Sequence, residues 1–234
     1  MNTVPTIVCV AGFADNGAMF APLVEARRPD DPTIRPVNLP GFSAPPAPNT
    51  SIAELAAFVR DAASKVGART VVAHSVASVV AAEAAHLPGG MIERIVSLEG
   101  NLTAKDAYFS GTAADYADPL AFRTAFLARL DELGADDLIV RGYRSRAATA
   151  DAGAMWRLGC DARAYSDRHH PGERLQSAAS VTYVLNRANC AAVSLGWLDA
   201  SDLATHELPG ASHWPTIDRT EDVLSILRAT TRAT

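Results

Sequence analysis

VVAHSVASVV, residues 71–80, packs valine and alanine around a central His-Ser pair. An apolar run of this kind reads as a buried strand. A serine in its middle would then cost about 1–3 kcal/mol in lost hydration unless its hydroxyl found a partner. The conflict disappears if the run is two elements. A strand ends near His74, a helix begins near Val76, and Ser75 is exposed on the bend between them.

The flanking sequence repeats this alternation. TIVCVA (6–11) is a short β-branched run stopped by Gly12, and TIRPVNL (33–39) is a second strand closed by the Pro40-Gly41 turn. SIAELAAFVRDAASKV (51–66) is helical. Ser51 and Glu54 form a capping box, and Ile52, Leu55, Phe58 and Val59 share one face. A helix is also expected over about 16–27. RTVVAH (69–74) and RIVSLEG (94–100) are the third and fourth strands, with a helix over 76–86 between them. SVTYVLN (180–186) and DLATHEL (202–208) follow, and RTEDVLSILRAT (219–230) closes as a helix. Strands alternating with helices predict an α/β fold: about six parallel strands with helices on both faces. Residues 102–176 break the rhythm. They carry no strand pattern and read as amphipathic helices, for example 119–133 and 154–165. The expected organisation is therefore a core of residues 1–101 and 177–234 with a helical insertion at 102–176.

Bulk properties narrow the function. In 234 residues, 48% are hydrophobic and 20% charged, as in a globular protein able to bury one ample core. A net charge of −5 offers no basic face, so neither nucleic acid nor an anionic membrane is an expected partner. The stretch MNTVPTIVCVAGF carries no signal-peptide pattern, and no apolar run reaches the ~18 residues of a membrane span. Cys9, Cys160 and Cys190 form neither a disulfide framework nor a metal spacing. A cytoplasmic protein is expected, as a monomer or homodimer acting on a small molecule. His169-His170 lacks a third ligand at metal spacing and reads as a solvated loop; no metal and no cofactor are expected.

In an open parallel sheet, ligands bind beyond the carboxyl ends of the strands. Ser75, Glu99 and His213 all fall at such ends. A nucleophile, an acid and a base on separate strand ends could converge into a catalytic triad.

On these residues the chain resembles the α/β-hydrolase superfamily, almost end to end. AHSVA (73–77) is similar to the nucleophile elbow Gly-x-Ser-x-Gly, with alanine at both glycine positions. AGFADN (11–16) resembles the family's oxyanion loop, NLPGFSAPP (38–46) the loop after the next strand, and GASHWPTID (210–218) the histidine loop. The insertion at 102–176 takes the place of a helical cap. The family's usual acid would follow the strand ending near Leu185, but residues 183–197 hold neither Asp nor Glu. Some members carry the acid one strand earlier, which points to Glu99; Asp199 and Asp202 are the fallbacks, while Asn189 or Cys190 stands where the usual acid would be.

The resemblance implies a serine hydrolase acting on an ester or lactone, with a thioester a further option, through a Ser75-His213-Glu99 triad and an acyl-enzyme. It implies backbone oxyanion donors at Phe13 and Val76. Aromatic residues concentrated in the insertion imply an apolar pocket, with Phe126, Trp156 and Trp214 as candidate lining. Two alternatives stay open: a lyase or cyclase reusing the Ser-His pair, and a ligand receptor or pseudoenzyme on the same fold.

Overall fold

A computed structural model describes residues 4–232. Strands β1 (Thr6–Val10), β2 (Thr33–Val37), β3 (Thr70–His74), β4 (Arg94–Leu98), β5 (Ser180–Leu185) and β6 (Ala204–Glu207) form one sheet. All are parallel, in the order β2-β1-β3-β4-β5-β6. The helices are α1 (Ala21–Ala26), α2 (Ile52–Lys65), α3 (Ala77–His86), α4 (Pro119–Leu133), α5 (Leu138–Ala147), α6 (Ala152–Arg168), α7 (Pro171–Ala178), α8 (Ala192–Ala200), α9 (Pro215–Asp218) and α10 (Thr220–Arg232).

The central strands are apolar throughout because helices cover both sheet faces. Along β1 the side chains alternate. Ile7 and Cys9 pack with α1 and α10, through Leu23, Val223 and Leu227; Val8 and Val10 pack on the other side, with Leu55 and Val59 of α2 and Val80 of α3. The two edges are protected by chemistry. β2 carries Pro36, which offers no ladder donor, and β6 is exposed along its whole length and bears His206 and Glu207.

Local signals account for the helix starts. Ser51 and Glu54 make the expected capping box on α2, and Asp118 caps α4 ahead of Pro119. The helix expected over 16–27 is divided: a 3₁₀ turn over Gly17–Phe20 precedes α1, whose first turn holds Pro22. Between β4 and β5 the chain leaves the sheet in two 3₁₀ turns (Ala104–Tyr108 and Ser110–Asp115) and helices α4 to α7. Among the described residues, no helix is long and apolar enough to cross a membrane.

Among the described residues, three of the four non-glycine residues with positive φ sit just beyond strand ends: Ala14 (54°) after β1, Ser75 (53°) after β3 and Glu99 (50°) after β4. Each costs of order 1–3 kcal/mol of local strain, which surrounding contacts must hold in place. All three lie at the carboxyl edge of the sheet.

Candidate active site

A cavity of about 340 Å³ opens at that edge and is lined by Phe13, Ser75, Glu99, His213 and Trp214, among others. Ser75 reaches it from the tight bend between β3 and α3. Its amide donates to the Leu98 carbonyl (2.9 Å), and its own carbonyl accepts from the amide and hydroxyl of Ser78 (2.9 and 2.8 Å). The bend needs small neighbours. Ala73 and Ala77, standing where the elbow usually has glycine, are both buried. Gly12 can be enlarged only if its neighbours shift: a methyl there would stand 2.8 Å from His74 Nδ1 and 3.0 Å from Ser75 Cβ. The loop after β1 therefore rests directly on Ser75, which puts Phe13 at the cavity wall.

Glu99 is buried and turned into the same cavity. Its Oε1 accepts from the Asn186 amide (2.6 Å) and from Asn189 Nδ2 (3.3 Å). Its Oε2 lies 3.7 Å from Nδ1 of His213, a separation longer than a hydrogen bond. Neither fallback acid competes for that position. Asp199 is on α8 in a bidentate pair with Arg187 (2.9 and 2.7 Å), and Asp202 is not among the lining residues. Asn189 donates to Glu99 instead of meeting His213.

His213 is about one-third exposed, and its loop is tied down on several sides. Asn186 Nδ2 donates to the Ala211 carbonyl (2.7 Å), and the Ser212 amide donates to Asp218 (2.7 Å). His74 Nε2 lies 2.7 Å from the His213 carbonyl oxygen. A carbonyl only accepts, so Nε2 of His74 carries the proton and Nδ1 is left as an unpaired buried acceptor. Burial, and then the nearby His213, push the His74 imidazole well below its ordinary pKa. The two rings meet edge to face at 4.7 Å.

A second polar group braces the opposite wall. Asp15, buried, accepts from two of the three guanidinium nitrogens of Arg146 (2.6 and 3.0 Å) and from the indole N–H of Trp214 (3.2 Å). The Tyr143 hydroxyl donates to the Phe13 carbonyl (2.7 Å). Burial, and then the Asp15 carboxylate, raise the Tyr143 pKa well above its usual value, so the hydroxyl remains a donor. Burial likewise pushes the Cys190 thiol up to about 12, with Glu99 adding to the effect. Asp15, Arg146 and Asn186 are not marked by the sequence as site residues, whereas Tyr143 belongs to the aromatic set of the insertion that suggests an apolar pocket. Only Asn186, at the end of β5, carried a positional signal.

The structure divides the expected pocket residues. Trp214 lines the cavity, whereas Phe126 and Trp156 do not. Phe126 sits one layer back, against Phe13 (5.4 Å between ring centroids) and Phe109 (4.8 Å). Trp156 donates its indole N–H to the Tyr116 carbonyl (2.8 Å) and lines a separate groove between α6 and the start of α2. The apolar wall is built instead from Phe13, Leu130, Leu133, Val140, Tyr143 and Trp214. His169 packs at a tilt against Tyr165 (4.6 Å between ring centroids) and His170 against Trp197 (5.2 Å), away from this cavity.

The family model for alpha/beta hydrolases matches residues 7–226, nearly the whole chain. The chain belongs to the alpha/beta hydrolase family. No curated protein sequence matches it. Among solved structures, an esterase from Thermogutta terrifontis superposes on this alpha/beta hydrolase with a TM-score of 0.74 at 13% identity, covering 98% of this chain and 90% of its own. An N-acyl homoserine lactonase complexed with N-hexanoyl homoserine gives 0.70 at 13% identity, with 97% and 88% covered. The structure of 1H-3-hydroxy-4-oxoquinoline 2,4-dioxygenase gives 0.76 at 15% identity, with 99% and 93% covered. At such identities the likeness is one of fold.

Proposed function

We propose that this alpha/beta hydrolase is a serine hydrolase cleaving an ester or lactone of a small, uncharged, largely apolar substrate. One observation carries the proposal: a serine strained at φ 53° faces a cavity that also holds His213, whose Nδ1 has Glu99 as its nearby carboxylate. A strained serine on a strand-to-helix turn is hard to account for as a packing residue.

In this reading Ser75 Oγ attacks the acyl carbon while His213 Nε2 takes its proton. The amides of Phe13 and Val76 bind the developing oxyanion, and the amino-terminal end of α3 favours negative charge there. His213 returns the proton to the departing alkoxide. A water molecule, deprotonated by the same imidazole, then releases the acid and restores Ser75. Glu99 stabilises the imidazolium. Its Oε1 is committed to Asn186 and Asn189, which leaves Oε2 for His213. The 3.7 Å gap shortens as His213 gains charge, because catalytic hydrogen bonds commonly tighten only once substrate is bound.

The insertion serves as a cap that selects the substrate: α4 and α5 supply Leu130, Leu133, Val140 and Tyr143 to the wall. Glu99, Asp106 and Asp137 also line the cavity, and among its described lining residues there is no lysine or arginine, which disfavours anionic substrates. The test is hydrolysis of p-nitrophenyl butyrate. The wild-type chain turns it over, and Ser75→Ala lowers kcat by at least about 10³-fold. Equal rates for the two would refute the proposal.

A further inference from the structure

Ala14 holds φ 54°, a left-handed conformation that disfavours any residue with a Cβ. Both of its neighbours are fastened to the same helix. Tyr143 of α5 donates to the carbonyl of Phe13, and Arg146, one turn further along α5, clamps the carboxylate of Asp15 through two hydrogen bonds. These contacts join positions 130 and 131 apart in sequence, linking the inserted helices to the loop after β1. Trp214 adds its indole N–H to the same Asp15 carboxylate, which brings the residue next to His213 into the network.

We infer that α5 holds residues 12–15 in their strained conformation, making Tyr143 and Arg146 positioning residues for the Phe13 amide. The inference rests on the hydrolase proposal only for the use made of that amide. Fixing the Phe13 carbonyl on one side of Ala14 and the Asp15 carboxylate on the other leaves the intervening backbone no room to relax. Released from Tyr143, Ala14 escapes its unfavourable φ by turning the Phe13 peptide. Gly12 transmits that rotation to Ser75, since it has no space even for a methyl group between them. The helix that presents Val140 and Tyr143 to the substrate therefore also sets the geometry of the oxyanion loop.

The test uses Tyr143→Phe, which removes one oxygen atom, and the double variant Ala14→Gly/Tyr143→Phe, in which glycine accepts the left-handed conformation without strain. In Tyr143→Phe, kcat on p-nitrophenyl butyrate should fall about 10–100-fold with KM changed less than about twofold, as for a donor displaced by about 1 Å. The double variant should recover most of that kcat. Amide hydrogen exchange over residues 12–16 should quicken in Tyr143→Phe and slow again in the double variant, a readout that needs no turnover. Unchanged kcat and exchange in Tyr143→Phe would overturn the inference. So would a kcat loss that follows the melting temperature and is not recovered by Ala14→Gly. A chain with the expected exchange pattern but no Ser75-dependent turnover would refute the hydrolase proposal while leaving the α5 clasp standing.

Discussion

Oε2 of Glu99 lies 3.7 Å from Nδ1 of His213, while the other oxygen of the same carboxylate is occupied by the Asn186 amide at 2.6 Å. The carboxylate is thus anchored by one oxygen and free at the other. Glu99→Gln keeps the size and the Asn186 contact but removes the charge that stabilises an imidazolium. It should lower kcat by up to about 10⁴-fold while leaving the circular dichroism spectrum unchanged. Asp199→Asn serves as the control, because Asp199 is paired with Arg187 and should leave kcat within about twofold. The opposite ranking of the two variants would place the acid elsewhere.

The neutral, buried His74 predicts a pH dependence of stability. Its folded pKa lies well below that of an unfolded histidine, so near pH 5 the unfolded chain binds a proton that the folded chain does not. Stability is therefore full above about pH 6.5 and is lost as the pH falls towards the lowered folded value. Between pH 6.5 and 5 this one group should cost about 1–2 kcal/mol. Urea unfolding at the two pH values measures it, and the difference should shrink by that amount in His74→Gln. An equal acid loss in both proteins would mean that His74 does not govern it.

Gly12→Ala should damage the reaction rather than the fold. The added methyl meets His74 and Ser75 within 3.0 Å, so the loop must retreat from Ser75. A fall in kcat of at least tenfold is expected, roughly, with KM little changed. A KM effect without a kcat effect would show that the loop touches substrate instead of the reacting oxygen.

The cavity wall predicts which helix sets chain-length preference. Val140→Phe fills space beneath α5 and should shift the preferred p-nitrophenyl ester to a shorter acyl chain. Trp156→Ala lies outside the cavity and should leave that preference unchanged. A shift caused by Trp156→Ala alone would mean that substrate reaches the groove beside α6.

How these residues were read from sequence divides along a physical line. β1, β3, β4 and β5 were legible because each is a continuous apolar run with both faces covered, and α2 and α4 because Ser51-Glu54 and Asp118-Pro119 mark their starts. Ser75, Glu99 and His213 were legible as polar residues at strand ends. The aromatic-rich insertion announced packing helices but not their rotation. On α4, Leu130 and Leu133 face the cavity while Phe126, about one turn earlier, lies behind them; on α6, Trp156 turns towards Tyr116. Asp15 and Arg146 left no trace, and Tyr143 stood out only as one of the insertion's aromatic residues, because the contacts that give them meaning lie more than a hundred positions apart, which no local periodicity reports.

The most direct measurement of the central claim, that Ser75 is the nucleophile, is covalent labelling with a fluorophosphonate followed by peptide mass spectrometry. It requires no knowledge of the natural substrate. The account predicts one adduct per chain, on Ser75, lost in Ser75→Ala and strongly slowed in His213→Ala. A wild-type chain that takes no label, or a Ser75→Ala chain that is labelled as readily as the wild type, would contradict it.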